Sequence, residues 1–269
     1  MKAILLYVND DAALESRLQA AIQLSRAFEA HLTCLQITPY NAFIAGDPFG
    51  GFYASPTVIE KLTNDQDLHR ERVEARLKQS SISWDWLDYN GQAASVLVHH
   101  SRLADLVIVS LSVAADGLDG PLSLAADVAI HAQSSVFAVP CDTATVDCLE
   151  TAVVAWNGSA EAGQALRLAL PMLRQAKAVH IVSIKEADIE FPASAAESYL
   201  ALHEVPSILQ ERRNDGDNVT DIVLDVAREV GGNFIVMGAY GHSRLREAVL
   251  GGVTRSMLRL SDVPLMLAH

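Results

Sequence analysis

The stretch FIVMGAYGHSRLREAVLGGVT, residues 234–254, sets the reading of the whole chain. It begins with an unbroken apolar run, as expected of a strand buried on both faces of a parallel sheet. Gly238 ends that run, Gly241 follows three residues later, and Gly251-Gly252 opens a new helical pattern after nine intervening residues. A glycine at the carboxyl end of a strand lets a ligand's sugar or phosphate approach the backbone, because no Cβ intervenes. Two glycines ahead of a helix present free N–H groups, and the helix dipole favours an anion there. In open α/β sheets, ligands sit at strand carboxyl ends where the connections diverge to opposite faces. Glycines in simple turns give the same spelling, so spacing alone leaves both readings open.

Working outward, the second half alternates strands and helices. Ala152–Trp156 reads as a buried strand, closed by the turn Asn157-Gly158-Ser159, which should face the same crevice as the glycines. A helix follows to about Gln175, with Leu166, Leu170 and Leu173 at helical spacing. Val179–Ile184 is a second strand, Ala195–His203 a helix, and Pro206–Gln210 the start of a third strand. Asp217 or Asn218 caps a helix bearing Ile222, Val223, Val226 and Val230, which Gly231-Gly232 stops. Gly252–Ser261 is the last helix and Pro264–Ala268 the last strand.

The first half repeats this order. Strands are expected at Ile4–Val8, Leu32–Ile37, Ile82–Trp86, Leu106–Val109 and Val136–Val139. Helices are expected at Ala12–Phe28, Ile59–Gln79, Ala93–His100 and Leu124–Ala132. ADLVIV (104–109) matches GNFIVM (232–237), and SSVFAVP (134–140) matches DVPLMLA (262–268). Strands that alternate with helices imply right-handed crossovers and parallel pairing. The fold class is therefore α/β: two tandem doubly wound domains, each an open five-stranded parallel sheet with helices on both faces. The domains are placed at 1–143 and 150–269. A single ten-stranded domain is less favoured, because a repeat predicts two cores. The last strands of the halves, Val136–Val139 and Leu265–Ala268, are expected to meet across a pseudo-twofold, since an unpaired apolar edge is an aggregation hazard.

Composition narrows the function. Formal charge is −13, divided as −8 over residues 1–144 and −5 over the rest. So acidic a surface argues against nucleic acid and anionic membranes, which attract clustered positive charge. No apolar run approaches the roughly 18 residues needed to span a bilayer. The opening MKAILLYVNDD reads as a first strand rather than a secretory leader, so a cytoplasmic location is expected. Cys34, Cys141 and Cys148 match no zinc spacing, and Cys34 sits in an apolar run as a core residue would. His69, His99, His100 and His131 lack metal spacing and are expected on helix surfaces.

The pattern G-x2-G-x9-G followed by a small residue, here Gly238, Gly241, Gly251 and Gly252-Val253-Thr254, resembles the nucleotide-binding signature of the universal stress protein family. AVVAWNGSAEAGQAL resembles that family's opening strand and helix, and DVPLMLA its closing strand. The resemblance covers residues 150–269 and, more weakly, 1–140. It implies an adenine-nucleotide site, for ATP or a related nucleotide, with any Mg held by the phosphates. It places Asn157 at the ribose or adenine, Ile184 at the adenine, Met237 and Gly238 at the ribose, and Gly241, Gly251, Gly252 and Val253 at the phosphates. Asn157 departs from the family's frequent acid and Gly252 from its frequent Ser/Thr. His242 and Arg244 lie between the glycines, where Arg244 or Arg246 could pair with a phosphate. GHSRL (241–245) is similar to a hydrolase nucleophile elbow, but Leu245 replaces the small residue that the elbow's packing needs.

The first half has no such glycines. The matching positions fall near Val109/Ser110, Ser112/Val113 and Leu122/Ser123, and Asp10 and Asp11 would add negative charge. That crevice is expected to bind no ATP and to be filled by its own side chains or capped by the aromatic loop 39–58. Three function classes follow: a nucleotide-dependent sensor in stress adaptation acting on an unknown protein partner, a slow ATP hydrolase, or a ligand-free scaffold. An intramolecular pseudo-dimer is expected, with a homodimer of the whole chain left open.

Overall fold

A computed structural model describes residues 1–38, 45–46, 52–53, 56–111, 123–141, 147–185, 191–214, 216–241 and 252–269. The first half contributes β1 (Ala3–Val8), α1 (Leu14–Phe28), β2 (His31–Thr38), a short antiparallel pair β3 (Ala45–Gly46) and β4 (Phe52–Tyr53), and α2 (Pro56–Lys78). It continues with β5 (Ser83–Asn90), α3 (Ala93–His100), a 3-10 turn (Ser101–Leu103), β6 (Leu106–Ser110), α4 (Leu124–His131) and β7 (Ser135–Val139). The second half contributes β8 (Thr151–Trp156), α5 (Ala160–Leu173), β9 (Ala178–Lys185), α6 (Ala193–Leu202) and β10 (Ile208–Arg213). It ends with α7 (Val219–Glu229), β11 (Phe234–Gly238), α8 (Gly252–Leu260) and β12 (Leu265–Ala268). The expected flap over 39–58 falls mostly outside the described residues.

Ten strands form one sheet in the order β10-β9-β8-β11-β12-β7-β6-β1-β2-β5. Within each half every pairing of this ten-stranded sheet is parallel. The halves join where β12 meets β7 antiparallel, with Leu265 opposite Ala138, Met266 opposite Phe137 and Leu267 opposite Val136. The two closing strands thus meet as a pseudo-twofold requires. Phe137 and Phe234 pack edge to face across the seam, 6.3 Å between ring centres.

One expectation is corrected here. The two apolar cores are divided by sheet face, not by half. One core gathers α1, α2, α5 and α6 with Leu6, Phe137, Val154 and Met266; the other gathers α3, α4, α7 and α8 with Val107, Val136, Val153 and Leu265. A continuous sheet has only two faces, so each core runs through both halves. Both are closed to solvent at their centres: Leu6, Phe137, Phe234 and Leu265 are fully buried.

Local signals place the ends of the elements. Asn218 caps α7, its Oδ1 accepting from Thr220 N at 3.1 Å. Gly231 closes that helix with φ +66°, and a Cβ on Gly232 would come within 2.9 Å of Val153 Cγ2. Gly232 is therefore needed for packing as well as for stopping the helix. The edge strand β5 runs on to Asn90, beyond the apolar Ile82–Trp86 that marked it in sequence, because its full length pairs with β2.

Candidate functional site at the ends of β8 and β11

β8 and β11 are neighbours, and their connections part there. β8 leads into α5 on one face of the sheet, whereas β11 leads towards α8 on the other. Divergence of adjacent connections opens a crevice at the carboxyl ends of the strands. Asn157, Gly158 and Ser159 line one side of it, Gly238 to Gly241 the other, and α8 begins at Gly252 beyond. Ile184, Ala155 and Met237 lie on the α8 face of the sheet, so the residues assigned to adenine and ribose share one side.

The turn after β8 is built by its own side chains. Asn157 Oδ1 accepts from Ser159 N at 3.1 Å, and Gly158 adopts φ +77°, which glycine reaches without a Cβ penalty. Ser159 Oγ caps α5, accepting from Ala162 N at 3.1 Å. One lone pair of the Asn157 carboxamide is thereby committed to the backbone, while its NH2 group remains a donor. Asn157 is exposed, and so are Gly252 and Val253 at the start of α8.

The glycines at the end of β11 have a second purpose. A Cβ on Gly238 would lie 2.6 Å from Ala162 N and 2.7 Å from Glu161 C. The first turn of α5 presses on the strand at that point, so Gly238 is required by helix packing whether or not a ligand is bound. A Cβ on Gly241 would approach Glu161 Oε2 to 3.0 Å. Glu161 is buried at 5% exposure in the first turn of α5, where the helix dipole favours a carboxylate. Helical spacing was sufficient to find it: Glu161, Ala165, Ala169 and Met172 share the buried stripe. It places negative charge beside a glycine assigned to phosphate.

Between the glycines, Tyr240 takes a left-handed φ of +55°, an uncommon state for a bulky residue. Its N–H donates to Thr254 Oγ1 at 3.3 Å, which ties the first turn of α8 to the end of β11. Thr254 is thus buried as a positioning residue. The Tyr240 hydroxyl is buried without a hydrogen-bond partner among the described residues, and burial raises its pKa. Gly251, His242 and Arg244 lie outside the described residues.

The matching place in the first half is closed. Registers with β1 and β8 make Ser110 the counterpart of Gly238. Arg17, 1% exposed, fills the gap. Its Nη1 donates to Ser110 Oγ at 2.6 Å and to Asp11 Oδ1 at 3.0 Å. Nη2 reaches Asp11 Oδ2 at 3.0 Å and Asn9 O at 3.2 Å, and Nε reaches Tyr7 O at 3.1 Å. Asp10 pairs with Arg72 Nη2 at 3.0 Å. Both aspartates are thereby matched by cations, so the closing of this crevice is steric and not a matter of their bare charge. Positions 112–122 lie outside the described residues, whereas Ser123, set against Gly251 by the same register, caps α4 with its Oγ accepting from Ala126 N at 3.3 Å.

His69 corrects a further expectation. It lies on the sheet side of α2 at 3% exposure, with neither ring nitrogen hydrogen-bonded among the described residues. Nδ1 is 3.6 Å from Asp10 Oδ1, and burial lowers its pKa against the pull of that carboxylate. Two of the three cysteine thiols are held neutral: burial pushes Cys34 up to about 12 and raises Cys148 as well.

Residues 149–269 match the model of the universal stress protein family. Among solved structures, a universal stress protein from Archaeoglobus fulgidus superposes with TM-score 0.75 at 14% identity, covering 99% of this chain and 96% of that one. A putative universal stress protein from Pseudomonas aeruginosa superposes with TM-score 0.58 at 14% identity, covering 100% and 93%. No curated protein matches the chain. At such identities the superpositions speak for the fold alone. Residues 149–269 are thus similar to the universal stress protein family, and the two halves together have the fold of the Archaeoglobus protein.

Proposed function

We propose that the crevice between the ends of β8 and β11 binds an adenine nucleotide, with ATP the first ligand to test, and that the protein acts in stress adaptation as a nucleotide-dependent sensor. The observation that carries this reading is the parting of two adjacent connections, which sets the start of α8 across from Asn157 at the strand ends. Gly252 adds no side chain there, so the first N–H groups of α8 are open to an anion. The Asn157 amide offers a donor, Ile184 and Met237 supply an apolar wall, and the family match over residues 149–269 points the same way. One nucleotide per chain follows, because Arg17 occupies the equivalent place in the first half.

Calorimetric titration of the full chain with ATP is the test. Saturation at one equivalent is expected, with binding lost in Gly251→Val/Gly252→Val while circular dichroism stays unchanged. Equal affinity in wild type and the double variant would overturn the reading. Two equivalents would show that Arg17 yields to ligand.

A further inference from the structure

A second cleft opens on the other face of the sheet. It lies between α5 and α6, encloses about 440 Å³, and shares only Gly158 and Ser159 with the crevice described above. That volume is in the range of small-molecule sites, about 300–1,000 Å³. Trp156, Leu166 and Ala196, all buried, belong to the core on the α5/α6 face, whereas Ile184 and Met237 belong to the opposite one. The wall is completed by Phe191 and Tyr199.

The chemistry of the lining is one-sided. The Trp156 indole N–H already donates to Phe191 O at 3.1 Å, so the ring offers the cleft its apolar surface and leaves no donor unsatisfied. Arg167 is the only ionised side chain among the lining residues, in a chain that carries 33 acidic against 20 basic residues. Its Nη2 donates to the neutral Gln164 Oε1 at 2.6 Å, and it forms no ion pair among the described residues. An exposed guanidinium at the rim of an aromatic cleft is matched by a ligand with a flat apolar body and one carboxylate.

We propose that the cleft between α5 and α6 binds a small planar aromatic carboxylate, its ring against Trp156 and Tyr199 and its carboxylate on Arg167, as a site separate from the nucleotide crevice. Gly163 gives a clean way to close it. A Cβ there meets nothing nearer than Arg167 Nη1 at 3.8 Å, and a side chain in place of glycine improves helix propensity.

The test titrates the full chain with 2-naphthoate by calorimetry, with 2-naphthalenemethanol as the uncharged control. Saturable binding of one 2-naphthoate is expected, unchanged by saturating ATP. Arg167→Gln should weaken 2-naphthoate roughly five- to tenfold, a modest factor because the rim is exposed, and leave the alcohol unaffected. Gly163→Phe should abolish binding of both while the thermal midpoint is kept. Absence of saturable binding, or affinity unchanged in both variants, would overturn the proposal. Displacement of 2-naphthoate by ATP would also overturn it, by placing the probe in the nucleotide crevice. If ATP itself gives no heat, the nucleotide reading fails by itself, and the two variants still decide the cleft.

Discussion

Arg17 and Glu161 stand beside corresponding strand ends, Ser110 and Gly238, and carry opposite charge. They lie one helical turn apart in the repeat, because the strand register that sets Ile4 against Ala152 sets Arg17 against Ala165 and Glu161 against Ala13. Arg17 reaches out to Ser110 and closes its crevice, whereas Glu161 stands beside Gly238 and Gly241. One repeat has therefore filled this strand end with an internal ion pair, and the other has set a carboxylate next to its glycines.

Removing the Glu161 charge should tighten nucleotide binding. At roughly 6 Å from a phosphate, a carboxylate repels by about 3 kcal/mol at an effective dielectric of 20, and counterions reduce that. Glu161→Gln keeps the shape of the side chain, so ATP affinity is expected to rise roughly tenfold by calorimetry. Unchanged affinity would place the phosphates away from Gly241.

Gly238→Ala should destabilise the protein without any ligand present. The added methyl would sit 2.6 Å from Ala162 N, and α5 would have to move. Forced overpacking of this kind costs about 2 kcal/mol, read as a lower urea midpoint at constant slope. Unaltered stability would show that α5 moves aside freely.

The Arg17–Asp11 pair is expected to be structural. Its guanidinium side is 2% exposed and its carboxylate side 36%. Asp11→Asn leaves a buried cation with neutral acceptors only, at a cost of about 3 kcal/mol in denaturant unfolding. ATP stoichiometry should remain one per chain.

His69 predicts an acid-side loss of stability. Burial holds its folded pKa below the unfolded value, with Asp10 and Asp11 opposing the shift and Arg72 and Arg17 adding to it. The unfolded chain therefore takes up this proton first as pH falls through about 6.5, and stability declines from there until the folded ring also protonates. His69→Leu should remove that component. Its stability relative to wild type should rise as pH is lowered from 7.5 to 5.5, measured by urea unfolding at each pH. A difference independent of pH would show that His69 titrates alike in both states.

The order of strands and helices was legible because buried parallel strands are near-continuous apolar runs, and Phe234–Met237 and Leu106–Val109 announce themselves. The seam was legible too, from the repeat and from the apolar closing strands. Polar residues facing inward were harder. His69 sits in a helix so rich in charge that its buried stripe, continued by Val73 and Leu77, is hidden. Arg17 reads as a surface cation until β6 brings Ser110 beside it. Gly238 reads in sequence as a point of ligand approach, yet contact with the first turn of α5 already demands a glycine. At the candidate site, the glycines and the Asn157 turn stand out through the family resemblance and helical spacing marks Glu161, whereas the Thr254 contact and the strained Tyr240 depend on how α8 packs against the end of β11.

The antiparallel seam between β7 and β12 also settles where this molecule can grow. A lone half would present its closing strand, apolar on both faces, as an open ladder to any neighbour. Here each half satisfies the other's ladder, and the unpaired margins are moved to opposite extremes of the sheet, at β5 and β10. Those margins carry Asp85 and Asp88 on one side and Glu211, Arg212 and Arg213 on the other. Charged, partly exposed rims resist strand addition. The fused chain thus resists growth of its sheet at either margin, and its most apolar ladder is used up inside the molecule.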